Sequence, residues 1–192
     1  MSIFDFRYAL FLVVIIMISC QSEYEKLVDR ELDTNEVHTD LLLGLNIGQT
    51  KKEFYAACWD LNKNQVISQG PTNENVLYII PKEEMRNDTN QVEMLFFGIF
   101  NEEDVMIGVR QRFFYTAWSL WNDDMQSDKL IESIKNYYLD KYSGNDFINL
   151  DLGLEKVKSY VKVDGNRQIT VYQRDPKEVG AKIEDLRYKL KR

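Results

Sequence analysis

The chain has 192 residues, 12% of them aromatic, with one histidine, two cysteines and a formal net charge of −7. An acidic chain repels nucleic-acid phosphate and anionic lipid headgroups, so no nucleic-acid partner is expected and membrane attachment has to come from something other than a basic patch. A lone histidine excludes a His-rich zinc site and a cluster of catalytic histidines.

Chain order begins with a segment that reads as an export signal. Met1 to Arg7 carries one acid and one base, and Tyr8 to Ile18 (YALFLVVIIMI) is uncharged and apolar. That run is shorter than the ~20 residues of a bilayer-spanning helix and has the length of a signal-peptide hydrophobic region. Met17-Ile18-Ser19-Cys20 resembles a lipobox, with apolar residues, a small residue and then the acceptor cysteine. The resemblance implies diacylglycerol on the Cys20 sulfur, cleavage before it and a palmitate-type anchor. The alternative is an uncleaved anchor helix that ends in an incidental cysteine. Two or three acyl chains hold essentially permanently, because each buried methylene contributes about 0.8 kcal/mol. Gln21 in place of Asp leans toward the outer membrane under the enterobacterial sorting rule. The two acids in Ser22-Glu-Tyr-Glu-Lys26 resemble the acidic surface-export signals of some Bacteroidetes lipoproteins. The periplasmic and the surface face both stay open.

On this reading residues 1–19 are the signal peptide, 20–40 a lipidated tether with a short helix, and 41–192 a single α+β globular domain. With Cys20 taken by lipid, Cys58 has no partner in the chain, so the domain holds no internal disulfide and relies on its core.

Tyr24, Leu27, Val28 and Leu32 recur at helical spacing and predict an amphipathic helix docked on the domain. Leu41 to Ile47 (LLLGLNI) reads as a buried strand. Thr50-x-x-Glu53 is a capping-box signature; it opens a helix to about Asn62 with Phe54, Ala57, Cys58 and Leu61 inward. Cys58 therefore reads as a buried structural thiol rather than a reactive one. Val66-Ile67 and Val76 to Ile80 read as short strands, and Pro81 to Asn90 as a polar loop.

Val92–Phe100 and Val105–Tyr115 flank Asn101-Glu-Glu-Asp104 as a hairpin. Pairing Phe100 with Val105 would set Phe96 against Val109 and Glu93 against Arg112. Ser127 reads as the cap of a helix to about Tyr142, its stripe Leu130, Ile131, Ile134, Tyr137 and Tyr138, with Gly144 as the stop. Phe147 to Leu154 is a weak strand and Tyr160 to Tyr172 a hairpin turning at Asp164-Gly165-Asn166. Asp175-Pro176 reads as the start of a last helix lined by Val179, Ile183, Leu186 and Leu190. The fold class expected is α+β: an antiparallel sheet with helices packed on one face. The order helix, strands, helix, strands allows a duplicated unit.

The run Leu42 to Lys63 with Ile67-Ser-Gln-Gly-Pro71 resembles a recurrent block in uncharacterised Bacteroidetes-type lipoproteins, and Tyr160 to Ile169 and Ile183 to Arg187 resemble later blocks of that group. The resemblance implies an envelope setting and no particular activity. Over about residues 41–80 the plan is also similar to SmpA/OmlA (BamE-like) outer-membrane lipoproteins, which implies an α+β scaffold that binds protein partners in envelope assembly.

Function is read at three places. Phe113, Phe114, Tyr115, Trp118 and Trp121, beside Asp123 and Asp124, suit either the core or an interaction surface. Tyr115, Trp118 and Trp121 are the candidate residues for a protein partner in a non-enzymatic binding or scaffold module. The alternative is an envelope hydrolase acting on glycan or peptidoglycan, which needs two facing carboxylates; the acids that can be placed sit at turns and helix starts. Calcium held by Asn122, Asp123, Asp124 and Asp128, or by Asn149 and Asp151, departs from the EF-hand spacing, and capping explains both groups. No catalytic, metal or cofactor residues are assigned. The basic tail Lys182, Arg187, Lys189, Lys191 and Arg192 reads as a complement to the dipole of the final helix.

Overall fold

The computed structural model describes residues 22–72, 75–85, 88–150 and 157–190. Cys20, and with it the lipidation expected there, lies outside the described residues. Among the described residues no helix is long and apolar enough to cross a membrane.

The fold is α+β, an eight-stranded antiparallel sheet with helices against it. Helix α1 spans Glu23–Asp33 and α2 spans Lys51–Lys63; strands β1 (Ser68–Gln69), β2 (Val76–Ile79), β3 (Val92–Phe100) and β4 (Met106–Tyr115) follow. Helix α3 (Ser127–Lys141) precedes β5 (Ile148–Asn149), β6 (Ser159–Asp164), β7 (Arg167–Gln173) and β8 (Val179–Asp185), and α4 (Leu186–Lys189) ends the described chain. The spatial order β1-β2-β3-β4-β8-β7-β6-β5 is a mirror. Each half is a helix followed by a four-stranded meander, and the halves join through their last strands, β4 against β8.

Strand alternation divides the core. Met94, Phe96, Val109, Phe113, Ile169, Val171 and Ile183 point to one face, where Phe54 and Cys58 of α2 and Leu130, Ile131, Ile134 and Tyr138 of α3 cover them. Tyr138 Oη donates to Gln111 Oε1 at 2.7 Å, which satisfies a polar group in that core. On the opposite face, Val161 and Val163 of β6 meet Leu27 and Val28 of α1 and Leu186 of α4. Helix α1 begins with a full capping box between Ser22 and Glu25, and Tyr24 Oη donates to Gln168 Oε1 at 2.6 Å. The predicted docking of the N-terminal helix is observed. So are the capping box of Thr50 and Glu53 and the inward stripe of α2.

Several expectations are corrected. Leu41 to Ile47 is a loop built on a 3₁₀ turn at Leu42–Gly44, with Leu43 and Gly44 both left-handed (φ 55° and 76°). Leu41, Leu42, Leu45 and Ile47 are buried and Leu43 is half-buried, so the apolar run marks the core and not a strand. The strand expected at Val66-Ile67 falls at Ser68–Gln69.

The β3–β4 hairpin forms, but it is shifted by two residues. Phe96 pairs with Gln111, Glu93 with Phe114 and Leu95 with Arg112. Asn101 Oδ1 accepts from Glu103 N and Val105 N (3.0 and 2.9 Å), which draws Val105 into the turn, and an irregularity at Ile99/Phe100 takes up the remainder. A two-residue slip preserves which face each side chain occupies, so the predicted core residues stay correct.

Gln126 holds the cap position of α3; Ser127 is its first helical residue, and its Oγ donates to Asp175 O at 2.6 Å. Of the weak strand expected at 147–154, Ile148–Asn149 forms among the described residues, and 151–154 lie outside the described part. The predicted last helix is the strand β8. Asp175 Oδ1 accepts from Lys177 N and Glu178 N, both at 2.8 Å. That is the chemistry of a helix cap, used here to turn β7 into β8. Val179, Ala181 and Ile183 then alternate inward with no exposure. Val179 and Ile183 fit both periods, and burial between β4 and β7 selects the strand. Of the basic tail, Lys182 lies on β8, Arg187 and Lys189 lie in the last turn of the short α4, and Lys191 and Arg192 lie outside the described residues. Lys182 and Lys189 pair with Glu184, and Arg187 pairs with Asp185.

Candidate binding surfaces

The aromatic cluster proposed from sequence divides into three environments. Tyr115 is buried and its Oη donates to Asp88 Oδ2 at 2.5 Å, which Ser133 Oγ also approaches at 3.0 Å. Burial and that carboxylate push the phenol's pKa far up. Asp88 is thereby tied to β4 through Tyr115 and to α3 through Ser133, and Tyr115 offers no surface. Trp118 is half-buried under Lys177, whose ammonium also lies 5.1 Å from the Phe114 ring. Trp121 is 89% exposed and its neighbour Leu120 58%. The structure thus brings Trp118 and Trp121 into one loop and places Tyr115 beneath it.

That loop is held by its own polar groups. Gln126 Nε2 donates to Ser119 O (2.9 Å) and Asn122 O (2.6 Å), and Asn122 N donates to Ser119 O (3.1 Å). Asn122 Oδ1 accepts from Asp124 N at 3.1 Å. Among the proposed calcium ligands, Asn122 is engaged in this cap and Asp151 lies outside the described residues. Among the described residues no three His, Cys, Asp or Glu side chains are placed to share a metal ion.

A second surface escaped sequence reading. Between α2 and the β1–β2 edge lies a groove with a cavity volume of about 490 Å³. Phe54, Cys58, Ile67 and Val76 form its floor. Tyr55, Trp59 and Asn62 wall it on the helix side; Ser68, Gln69 and Asn75 wall it on the strand side. None of these side chains is charged, although 29% of the whole chain is. Tyr55 and Trp59 are 59% and 73% exposed. Tyr55 is braced edge-on by Phe54, centroids 5.6 Å apart, and Asn62 Nδ2 donates to Ile67 O at 3.2 Å. The signal was present in the sequence: Tyr55, Trp59 and Asn62 repeat at i, i+4, i+7, one residue out of phase with the core stripe. Cys58 lies at the floor, where burial pushes its thiol up to about 11. It remains protonated at neutral pH and serves packing.

The buried acids are tied to arginines. Glu178 receives a two-pronged bond from Arg112 (3.0 and 2.6 Å), Asp185 binds Arg187, and Asp164 binds Arg167. His38 lies 3.1 Å from Asp164 through Nε2, and its backbone N–H donates to Asn166 Oδ1 at 2.6 Å. The lone histidine therefore helps fasten residues 34–40 to the β6–β7 turn. No family model matches the chain, and neither a curated protein nor a solved structure is significantly similar to it.

Proposed function

We propose that the chain is a non-enzymatic binding module of the cell envelope, tethered by lipid on Cys20 and engaging a protein partner through Leu120 and Trp121. The observation that carries the partner surface is an exposed Leu-Trp pair on a loop already fixed by Ser119, Asn122 and Gln126. An apolar pair held outward without a cover is ready to bury area in a partner, and a pre-ordered loop loses little entropy on binding. The tether is supported by the lipobox-like Met17 to Cys20, by the brevity of the apolar run before it and by the resemblance to envelope lipoproteins. The outer membrane is the site proposed, on the strength of Gln21.

Two measurements test this reading. Intact mass of membrane-purified protein is expected to show an acylated chain that starts at Cys20; an unmodified chain starting at Met1 overturns the tether. A photo-crosslinking residue at position 121 is expected to trap one envelope protein that the same residue at the exposed position 129 of α3 does not. Equal trapping at both positions, or none at 121, overturns the partner surface.

A further inference from the structure

We infer that the groove between α2 and the β1–β2 edge is a binding site for a neutral oligosaccharide. The site is distinct from the Leu120–Trp121 surface, and the inference depends neither on that surface nor on the tether.

Three properties select the ligand class. The first is charge. Among the described residues the groove walls carry no ionisable group near neutral pH, in a chain rich in acids and bases. An anionic or cationic ligand would be desolvated there without a counter-charge, at a cost no groove residue offsets. A neutral ligand meets no such cost.

The second property is the mixture of aromatic faces and amides. Tyr55 and Trp59 stand one turn apart on α2, so their rings are neighbours along the groove wall. A sugar ring presents an apolar C–H face, which stacks on such a ring, and equatorial hydroxyls around its rim. Asn62, Gln69 and Asn75 edge the aromatic wall with donors and acceptors suited to hydroxyls. Pockets that recognise small molecules share this division between apolar lining and a few directing polar groups.

The third property is shape. The groove is open to solvent rather than enclosed, so a chain of sugar rings can lie in it without any part of the fold having to move aside. An extended peptide held by strand addition requires a row of backbone partners, and β1 is two residues long. An amphipathic helix requires a continuous apolar trough, and four of the ten lining residues here, Asn62, Ser68, Gln69 and Asn75, are polar.

The test is isothermal titration of the full-length protein, held in a detergent without a sugar headgroup. The probes are the neutral hexasaccharides cellohexaose, maltohexaose and xylohexaose, with the acidic hexagalacturonate as a control. At least one neutral probe is expected to bind saturably. Trp59→Ala is expected to weaken that binding at least tenfold, and Tyr55→Ala to weaken it by a smaller factor. Both side chains are exposed, so the variants are expected to keep the wild-type circular dichroism spectrum and melting temperature. Absence of binding by all three neutral probes overturns the inference, as does affinity unchanged in Trp59→Ala. Hexagalacturonate binding as well as the best neutral probe also overturns it, because neutrality is then irrelevant. If a variant proves misfolded, protection of the Trp59 indole N–H against hydrogen exchange by the bound probe in the wild-type protein decides the matter. Unprotected Trp59 refutes the site.

Discussion

Arg167 and Asp164 face each other across the β6–β7 turn, Nη2 to Oδ2 at 2.5 Å, and the two side chains are 2% and 4% exposed. The Arg167 guanidinium also donates to Asp40 O at 2.8 Å and lies 4.1 Å from the centre of the Tyr142 ring. One cation thus ties the hairpin turn, the 34–40 segment and the end of α3 together. Beside it Lys162 Nζ donates to Asn145 O at 2.7 Å, with burial pushing the lysine's pKa down.

Breaking a buried pair by removing one member costs about 3–5 kcal/mol; without Arg167, Asp164 keeps only His38 (3.1 Å) and the Ser143 hydroxyl (3.3 Å). Arg167→Met is expected to lose that amount in urea denaturation with little change in slope. Asp164→Asn added to Arg167→Met is expected to recover part of the loss. A double variant as unstable as the single one would show that the aromatic and backbone contacts of Arg167 dominate instead.

Alkaline pH is expected to destabilise the fold. Burial, helped by the Glu84 carboxylate that accepts from Tyr78 Oη at 3.3 Å, pushes Tyr78 up to about 12, and burial pushes Cys58 up to about 11. Both groups are neutral in the native state, and their ordinary values are 10.0 and 9.0. Their contribution is intact below those values and is lost as pH rises through the native ones, because the unfolded chain ionises first. Urea midpoints are expected to hold to about pH 9 and fall from there to about pH 12. In the same window a thiol reagent is expected to stay slow on native Cys58 and become fast on the denatured chain. A native thiol that reacts rapidly at pH 8 would contradict its burial.

Helix α1 is a separable layer. Leu27 and Val28 pack in a small cluster with Val161, Val163 and Leu186, on the sheet face opposite the main core. Leu27→Asp is expected to release α1 while β3, β4 and β8 keep their protection. Hydrogen exchange is then expected to quicken in residues 22–38 alone, the pattern of a local opening. Uniform loss of protection would mean that α1 is integral to the whole core. Tyr24→Phe, which removes the bond to Gln168, is expected to cost about 0.5–1.5 kcal/mol in the same region.

Helices α1, α2 and α3 and four of the five long strands, β3, β4, β6 and β7, were legible in the sequence because their signals agree. Thr50 with Glu53, and the stripe from Leu130 to Tyr138, combine cap and period. The errors arose where one signal serves two structures. Asp175 accepts two backbone N–H groups whether a helix or a turn follows. Leu41 to Ile47 is apolar because it is buried, and Leu43 adopts a left-handed conformation that no pattern announces. The hairpin register depended on Asn101, a single side-chain acceptor. Trp121 and Tyr115 have similar chemistry in a sequence, but Tyr115 ends β4 on the core face with Phe113 and gives its hydroxyl to Asp88, whereas Trp121 lies on the loop beyond the strand. The α2 groove was missed for a related reason: its wall residues occupy helix positions that normally face water.

Trp121 is expected to matter for binding and not for stability. Leu120→Ser with Trp121→Ser removes side chains that contact mostly solvent, so the urea midpoint is expected to shift by no more than about 0.5 kcal/mol, while the crosslink expected from this loop disappears. A large loss of stability would mean that the indole is packed in solution, and the partner surface would fail with it.

Gly108 sits where the two meanders meet. A Cβ built on it would lie 2.2 Å from Ile183 O on β8. That neighbour is backbone, so it can yield only if β4 and β8 move apart, and their pairing from Gly108↔Glu184 to Phe113↔Val179 is what makes one sheet of two halves. Gly180 poses a milder case on the same seam: its Cβ would meet the Tyr172 ring at 2.5 Å, and a half-exposed ring can rotate away. Gly108→Ala is therefore expected to cost about 1–3 kcal/mol or more, and Gly180→Ala less. Equal losses at the two positions would show that the seam itself tolerates separation. Hydrogen exchange on Gly108→Ala then distinguishes a local bulge, which exposes only the amides nearest residue 108, from separation of the halves, which exposes the whole β4–β8 ladder together.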